Sequence, residues 1–200
     1  MIFCADPKMV EGLSYANILV VSLSNNHITN YGQKGLVDTK KTLTEAKIDY
    51  TGEGSLAVKE INGLKVGFLG FNFVSAQPTS LDFRMIVDSK KLVNILIVGV
   101  HWGAEYQDKA SATQKEIARK LVEAGADVVA GHHPHWVQDE EKINGKPVYY
   151  SLGNFVFDQP WSEETKEGMM VELTFNGKDL IQEEKLPLKM TSIGQPELVK

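Results

Sequence analysis

Ile95-Leu96-Ile97-Val98-Gly99-Val100-His101-Trp102-Gly103 and Asp127-Val128-Val129-Ala130-Gly131-His132-His133-Pro134-His135 share one design, an apolar run that ends in histidine. Ile95–Val100 and Asp127–Ala130 have no polar alternation, which predicts strands covered on both faces. Between them, Ser111–Ala124 reads as a helix. Ser111 and Gln114 have capping-box spacing, Ile117, Leu121 and Ala124 form an apolar face, and Gly125 is a stop. Strand, helix and strand in this order predict a layered α/β domain.

The same alternation extends outward. Ile18–Leu23 is a continuous β-branched run, expected as a third buried strand beside the other two, and residues 33–47 read as a helix. Asn62-Gly63 and Asn144-Gly145 each separate two strand-like runs, a strong short hairpin signal. From Val148 onward the pattern suggests strands around Asn176-Gly177 and then a looser tail containing proline. With no repeat or linker in evidence, residues 1–200 are expected to form a single domain, with 165–200 the more divergent part.

Composition narrows the function classes. A net charge of -5 without a basic stripe argues against a nucleic-acid backbone as partner. No apolar run approaches the ~20 residues needed to cross a bilayer, so no membrane segment is expected. Residues 1–15 lack the layout of a signal peptide. The single cysteine, Cys4, precludes an intrachain disulfide and leaves the redox compartment open.

The five histidines, His27, His101, His132, His133 and His135, are all expected just past strand ends. That edge of a layered α/β sheet is where ligands bind. Neutral imidazole is the commonest metal ligand, and a cluster of imidazoles is harder to read as structural than one alone. A lone histidine such as His101 is more often a hydrogen-bonded structural residue. Glu105, the acid within these motifs, can ligate a metal, orient an imidazole, or simply be solvated. Trp102 and Trp136 flank the histidines and can wall a pocket, although plain packing explains them as well.

Four motifs in order then carry a family resemblance. Asn25-Asn26-His27 with Tyr31-Gly32, His101-Trp102-Gly103-Ala104-Glu105-Tyr106, Gly131-His132-His133-Pro134-His135, and Tyr150-Ser151-Leu152-Gly153-Asn154-Phe155 with Asp158 resemble the signatures of CapA-type proteins. These are capsule and poly-γ-glutamate synthesis proteins of the calcineurin-like metallophosphoesterase superfamily. The resemblance implies a layered α/β/β/α sandwich of metallophosphoesterase type. It implies metal ligation by Asn26, His101, His132, His133 and His135, with the choice among the last three open. His27 would be the catalytic histidine that helps protonate a leaving group. Glu105, Asn154 and Asp158 would be supporting residues or possible ligands.

The implied cofactor is a divalent metal (Mn, Zn or Fe) at up to two sites about 3.5–4 Å apart. The implied activity is that of a metal-dependent hydrolase, and the alternative is a non-catalytic binding or scaffolding subunit with a degenerate metal site. Implied partners are an anionic capsule polymer or its precursor and other capsule-synthesis proteins, at the bacterial cell envelope. The Gly-Asp and Asn-Leu-Glu segments that open the family pattern do not precede Asn25, and Asn30 stands where the family usually has aspartate. The chain is therefore expected to lack N-terminal strands of the family fold and to hold a second metal weakly.

Overall fold

The computed structural model describes residues 2–192 and 194–199. In chain order the elements are α1 (Val10–Tyr15), β1 (Val20–Ser22), α2 (Gly32–Glu45), β2 (Asp49–Thr51), β3 (Ala57–Ile61), β4 (Leu64–Asn72), α3 (Ser80–Lys90), β5 (Ile95–His101), α4 (Ala112–Ala124) and β6 (Val128–His132). They continue with β7 (Glu140–Ile143), β8 (Lys146–Tyr149), β9 (Glu167–Asn176), β10 (Asp179–Ser192) and β11 (Gln195–Leu198).

Two Asn-Gly turns set the margins of the main sheet. Asn62 and Gly63 have φ of 50° and 77°, and Asn144 and Gly145 have 51° and 78°. Left-handed backbone at both central positions is the turn geometry that matches strand twist. Each turn folds an outer strand back antiparallel, β3 on β4 and β7 on β8. The resulting six-stranded sheet runs β3-β4-β5-β6-β8-β7, with β4, β5, β6 and β8 parallel at its centre.

One face of this sheet is covered by α3 and α4, where Ile86, Ile117 and Leu121 pack on Leu96, Val98, Val100 and Val129. Burying each such side chain contributes about 2 kcal/mol. The capping box joins Ser111 and Gln114 as the spacing predicts, and Gly125 (φ 120°) ends α4. On the opposite face, β1 and β2 form a parallel pair of their own. This pair crosses β4 at Gly70, where an added Cβ would lie 2.6 Å from Ser22 Oγ. Leu36 and Leu43 of α2 close the outer layer over Leu23 and Ile48. The layers are therefore α/β/β/α.

Three expectations need correction. Ile18–Leu23 is not a neighbour of β5 and β6; it contributes β1 to the separate two-stranded sheet. Both edges of β4 and of β5 are already hydrogen-bonded within the main sheet, so β1 stacks face-on instead. The C-terminal segment is not a loose tail. β10 runs fourteen residues between β9 and β11, and Pro187 is accommodated within it. Finally, His101 and His132 do not follow their strands but are their last residues, paired in register with one another. No helix among the described residues is long and apolar enough to cross a membrane.

Candidate metal centre

Register brings the histidines together. Because β5 and β6 are parallel and His101 pairs with His132, both strands deliver an imidazole at the same level of the sheet. Gly131 permits this close approach. A Cβ there would lie 2.0 Å from the Tyr150 carbonyl oxygen and 2.5 Å from Trp102 Nε1. Trp102 itself is core, almost fully buried, donating from Nε1 to that carbonyl at 2.8 Å and stacked on Tyr150. Packing is thus the reading that holds for Trp102.

Beyond β6 the backbone turns abruptly. His133 (φ 96°) and His135 (φ 64°) both occupy the left-handed region, which costs a side-chain-bearing residue of order 1–3 kcal/mol. Tyr106 (φ 59°) donates its N–H to the Pro134 carbonyl at 2.8 Å and so ties the Glu105 loop to the histidine loop. Glu105, His133 and His135 are brought so close that one ligand atom from each lies within 4.8 Å of the others. Tetrahedral ligands at ~2.1 Å from an ion stand about 3.4 Å apart, so one divalent ion fits here after a small inward movement.

Asn26 lies across from this group. Its Oδ1 is 3.1 Å from His101 Nε2, and the His101 ring is 4.8 Å from that of His133. His27 comes from the same loop, whose turn is closed by the His27 N–H donating to Asn25 Oδ1 at 2.8 Å. Asn30 Oδ1 accepts from the Phe3 N–H at 3.1 Å and stands 3.2 Å from His27 Nδ1. The ring of Phe3 meets His27 edge-on.

The supporting shell is polar and buried. Asn154 Oδ1 is 2.9 Å from His135 Nδ1, and Asn154 Nδ2 donates to the Thr165 carbonyl at 2.9 Å. An amide oxygen on Nδ1 selects the tautomer with the proton there and leaves the Nε2 lone pair free. Gln138 donates to the carbonyls of Gln107 and Lys109, at 3.1 and 3.0 Å, and accepts from Gln114 at 3.0 Å. This clamp fixes the Glu105 loop to α4, and the sequence reading did not single it out. Trp136 packs near Tyr106, and its buried Nε1 has no partner among the described residues. Asp158 is exposed and enters none of these contacts.

Burial disfavours the charged form of three of the imidazoles, His101, His132 and His133. Burial, followed by the neighbouring His133, His132, His135 and His27, pushes His101 down to about 3. Burial also lowers His133, against an opposing pull from Glu105. His132 is lowered by the protein crowded around it, although its own surface is open, as on the floor of a recess. Unprotonated rings present lone pairs at neutral pH, as a metal site requires.

Paired β layers between helices, with histidines gathered at the ends of parallel strands, give the chain a metallophosphoesterase-like fold. The chain shares its fold with a candidate 5'-nucleotidase of Staphylococcus aureus, with TM-score 0.54 and 14% identity over 94% of this chain and 44% of that one. The chain belongs to the bacterial capsule synthesis protein PGA_cap family, whose pattern matches residues 1–159. It is 36% identical to the capsule biosynthesis protein CapA of Bacillus anthracis, over 98% of this chain and 53% of that one. It is 31% identical to the PGA biosynthesis protein CapA of Bacillus subtilis, over 96% and 59%. The chain thus spans little more than half the length of these relatives.

Proposed function

We propose that the chain acts in capsule or poly-γ-glutamate synthesis through a metal-dependent, phosphoesterase-like hydrolase site at the histidine cleft. The observation that carries this reading is the approach of Glu105, His133 and His135 to within 4.8 Å, with His101 and Asn26 facing them. Glu105, His133 and His135 are the ligands of the firmer ion in this proposal. Asn26 and His101, with His132 beside them, form the weaker position. A divalent ion bound there supplies Lewis acidity and a lowered pKa for water. Asn154 orients His135, and the Gln138 clamp keeps Glu105 in reach. His27, with Nδ1 engaged by Asn30, has Nε2 free to hold or deliver a proton to a leaving group.

A second reading, a binding or scaffolding subunit with a degenerate metal site, is favoured by one observation. Glu105 is the single carboxylate in the cluster found among the described residues. Two divalent ions held mostly by neutral donors lack charge compensation. Metal content separates the readings: after chelation and reloading with Mn²⁺ or Zn²⁺, about two ions per chain and turnover of a chromogenic phosphodiester support the enzyme. One ion or none, without turnover, supports the subunit. In an active preparation, His101→Ala and His135→Ala should each abolish turnover, and full activity in either variant would refute the ligand assignments.

A further inference from the structure

A second cavity, of about 460 Å³, adjoins the histidine cleft and is used by nothing described above. Its size is that of small-ligand sites. Phe157, Pro160 and Met190 form an apolar wall, and Lys166 and Lys189 supply two ammonium groups. Two connections join it to the cleft. The ring of Phe157 lines the cavity and also lies 5.2 Å from that of His135. Asn154, which holds His135, also donates from Nδ2 to the Thr165 carbonyl, within the turn that carries Glu163 and Lys166. Thr165 is fully buried and bonded to Ser162, so this turn is a fixed part of the wall.

Glu163 stands between the two lysines, 2.7 Å from Lys166 Nζ and 2.9 Å from Lys189 Nζ. Its side chain is 65% exposed, so water competes with both ion pairs and keeps each of them weak. Those two ammonium groups hold its carboxyl down to about 2, which keeps it anionic at any ordinary pH. A short aliphatic stem ending in a carboxylate is also the chemistry of a glutamyl unit.

We propose that this cavity is a docking subsite for a carboxylate-bearing chain that continues into the histidine cleft, and that Glu163 is its displaceable internal competitor. An incoming carboxylate takes the place of Glu163 between Lys166 and Lys189, while its methylenes lie against Phe157 and Met190. The choice of a polyglutamate chain rests on the functional reading above; the pairing of cations with an apolar wall does not.

The test is binding, by fluorescence anisotropy, of a short labelled oligomer of γ-linked glutamate to the chelated protein, so that no metal or turnover is involved. Lys166→Ala with Lys189→Ala should weaken binding on the order of tenfold, as expected for two partly exposed charge contacts. Glu163→Gln should tighten it about threefold, because the internal competitor is gone. A purely structural Glu163 would give no such gain. Lys189→Gln, which keeps a polar side chain, should weaken binding as well. Unchanged affinity in the double lysine variant, or no gain in Glu163→Gln, would overturn the proposal. So would tighter binding of a polyphosphate chain than of the glutamate oligomer. If the subsite fails these tests while the metal-loaded protein still cleaves phosphodiesters, only the subsite is lost; glutamate binding without cleavage in any metal would remove the hydrolase reading alone.

Discussion

The two ends of β6 are opposite solutions to placing charge at a sheet edge. Before it, buried Asp127 is fully paired: it bonds Lys90, accepts from Lys146 at 2.8 Å and accepts the Leu96 N–H at 2.8 Å. After it, imidazoles and one carboxylate gather with a ligand atom from each of Glu105, His133 and His135 within 4.8 Å of the others. The first end is complete within the chain and serves stability. The second carries histidines in left-handed backbone, and under the proposed function a divalent ion would complete it. The difference contrasts an end satisfied by its own ion pairs with one whose backbone is strained around clustered imidazoles.

The largest effect is expected from disarming the paired end. Asp127→Asn leaves two ammonium groups without their carboxylate and should cost about 3 kcal/mol in urea unfolding. Metal bound per folded chain should stay unchanged; a matching loss of metal would mean that the two ends are not independent. At the open end the largest effect should come from filling it. Zn²⁺ or Mn²⁺ at a hundred times its dissociation constant should stabilise by about 2.7 kcal/mol, read as a rise in Tm. Glu105→Gln should remove most of that gain while leaving the stability of the metal-free protein nearly unchanged.

Acid should also separate the ends. His101 titrates at about 3 in the folded chain against ~6.5 when unfolded, so the unfolded state binds more protons between those values. Stability of the metal-free protein should therefore fall as pH drops through that window, by at most about 1.4 kcal/mol per unit for this one group. His101→Gln should flatten the slope. For Asp127, burial pushes the carboxyl up, but Lys146, Lys90 and the Leu96 N–H outweigh it and hold it below its ordinary value. Its contribution is present above ~4 and is lost only as pH falls below that. The smallest effect is expected at His133→Gly, where relief of the left-handed backbone offsets lost ring contacts to within about 1 kcal/mol. Metal affinity should nonetheless collapse.

What was legible in the sequence was local. Both Asn-Gly hairpins and the Ser111–Gln114 cap depend on residues a few positions apart, and each lies where the spacing puts it; His101 and His132 end their strands rather than follow them. The partner of Ile18–Leu23 was not legible, because an apolar run announces burial without saying which sheet it joins. Nor was the Gln114–Gln138 clamp, whose partners are 24 residues apart and carry no pattern of their own. Glu105 was undecidable as a lone acid in a loop. Its approach to His133 and His135 depends on the Tyr106–Pro134 bond, which only the folded backbone creates.

The arrangement of the six-stranded sheet has a kinetic consequence. Its margins, β3–β4 and β7–β8, are hairpins closed by short turns, the kind of contact that forms in about 1–10 μs. Its interior pairings, β4–β5, β5–β6 and β6–β8, join strands brought together by crossovers, and such non-local contacts form later. His101 and His132 meet only when the β5–β6 register has closed. Metal capture should therefore be a late event in refolding. A stopped-flow experiment should find it lagging behind the backbone circular dichroism signal and keeping pace with the burial of Trp102, the core indole beside that register.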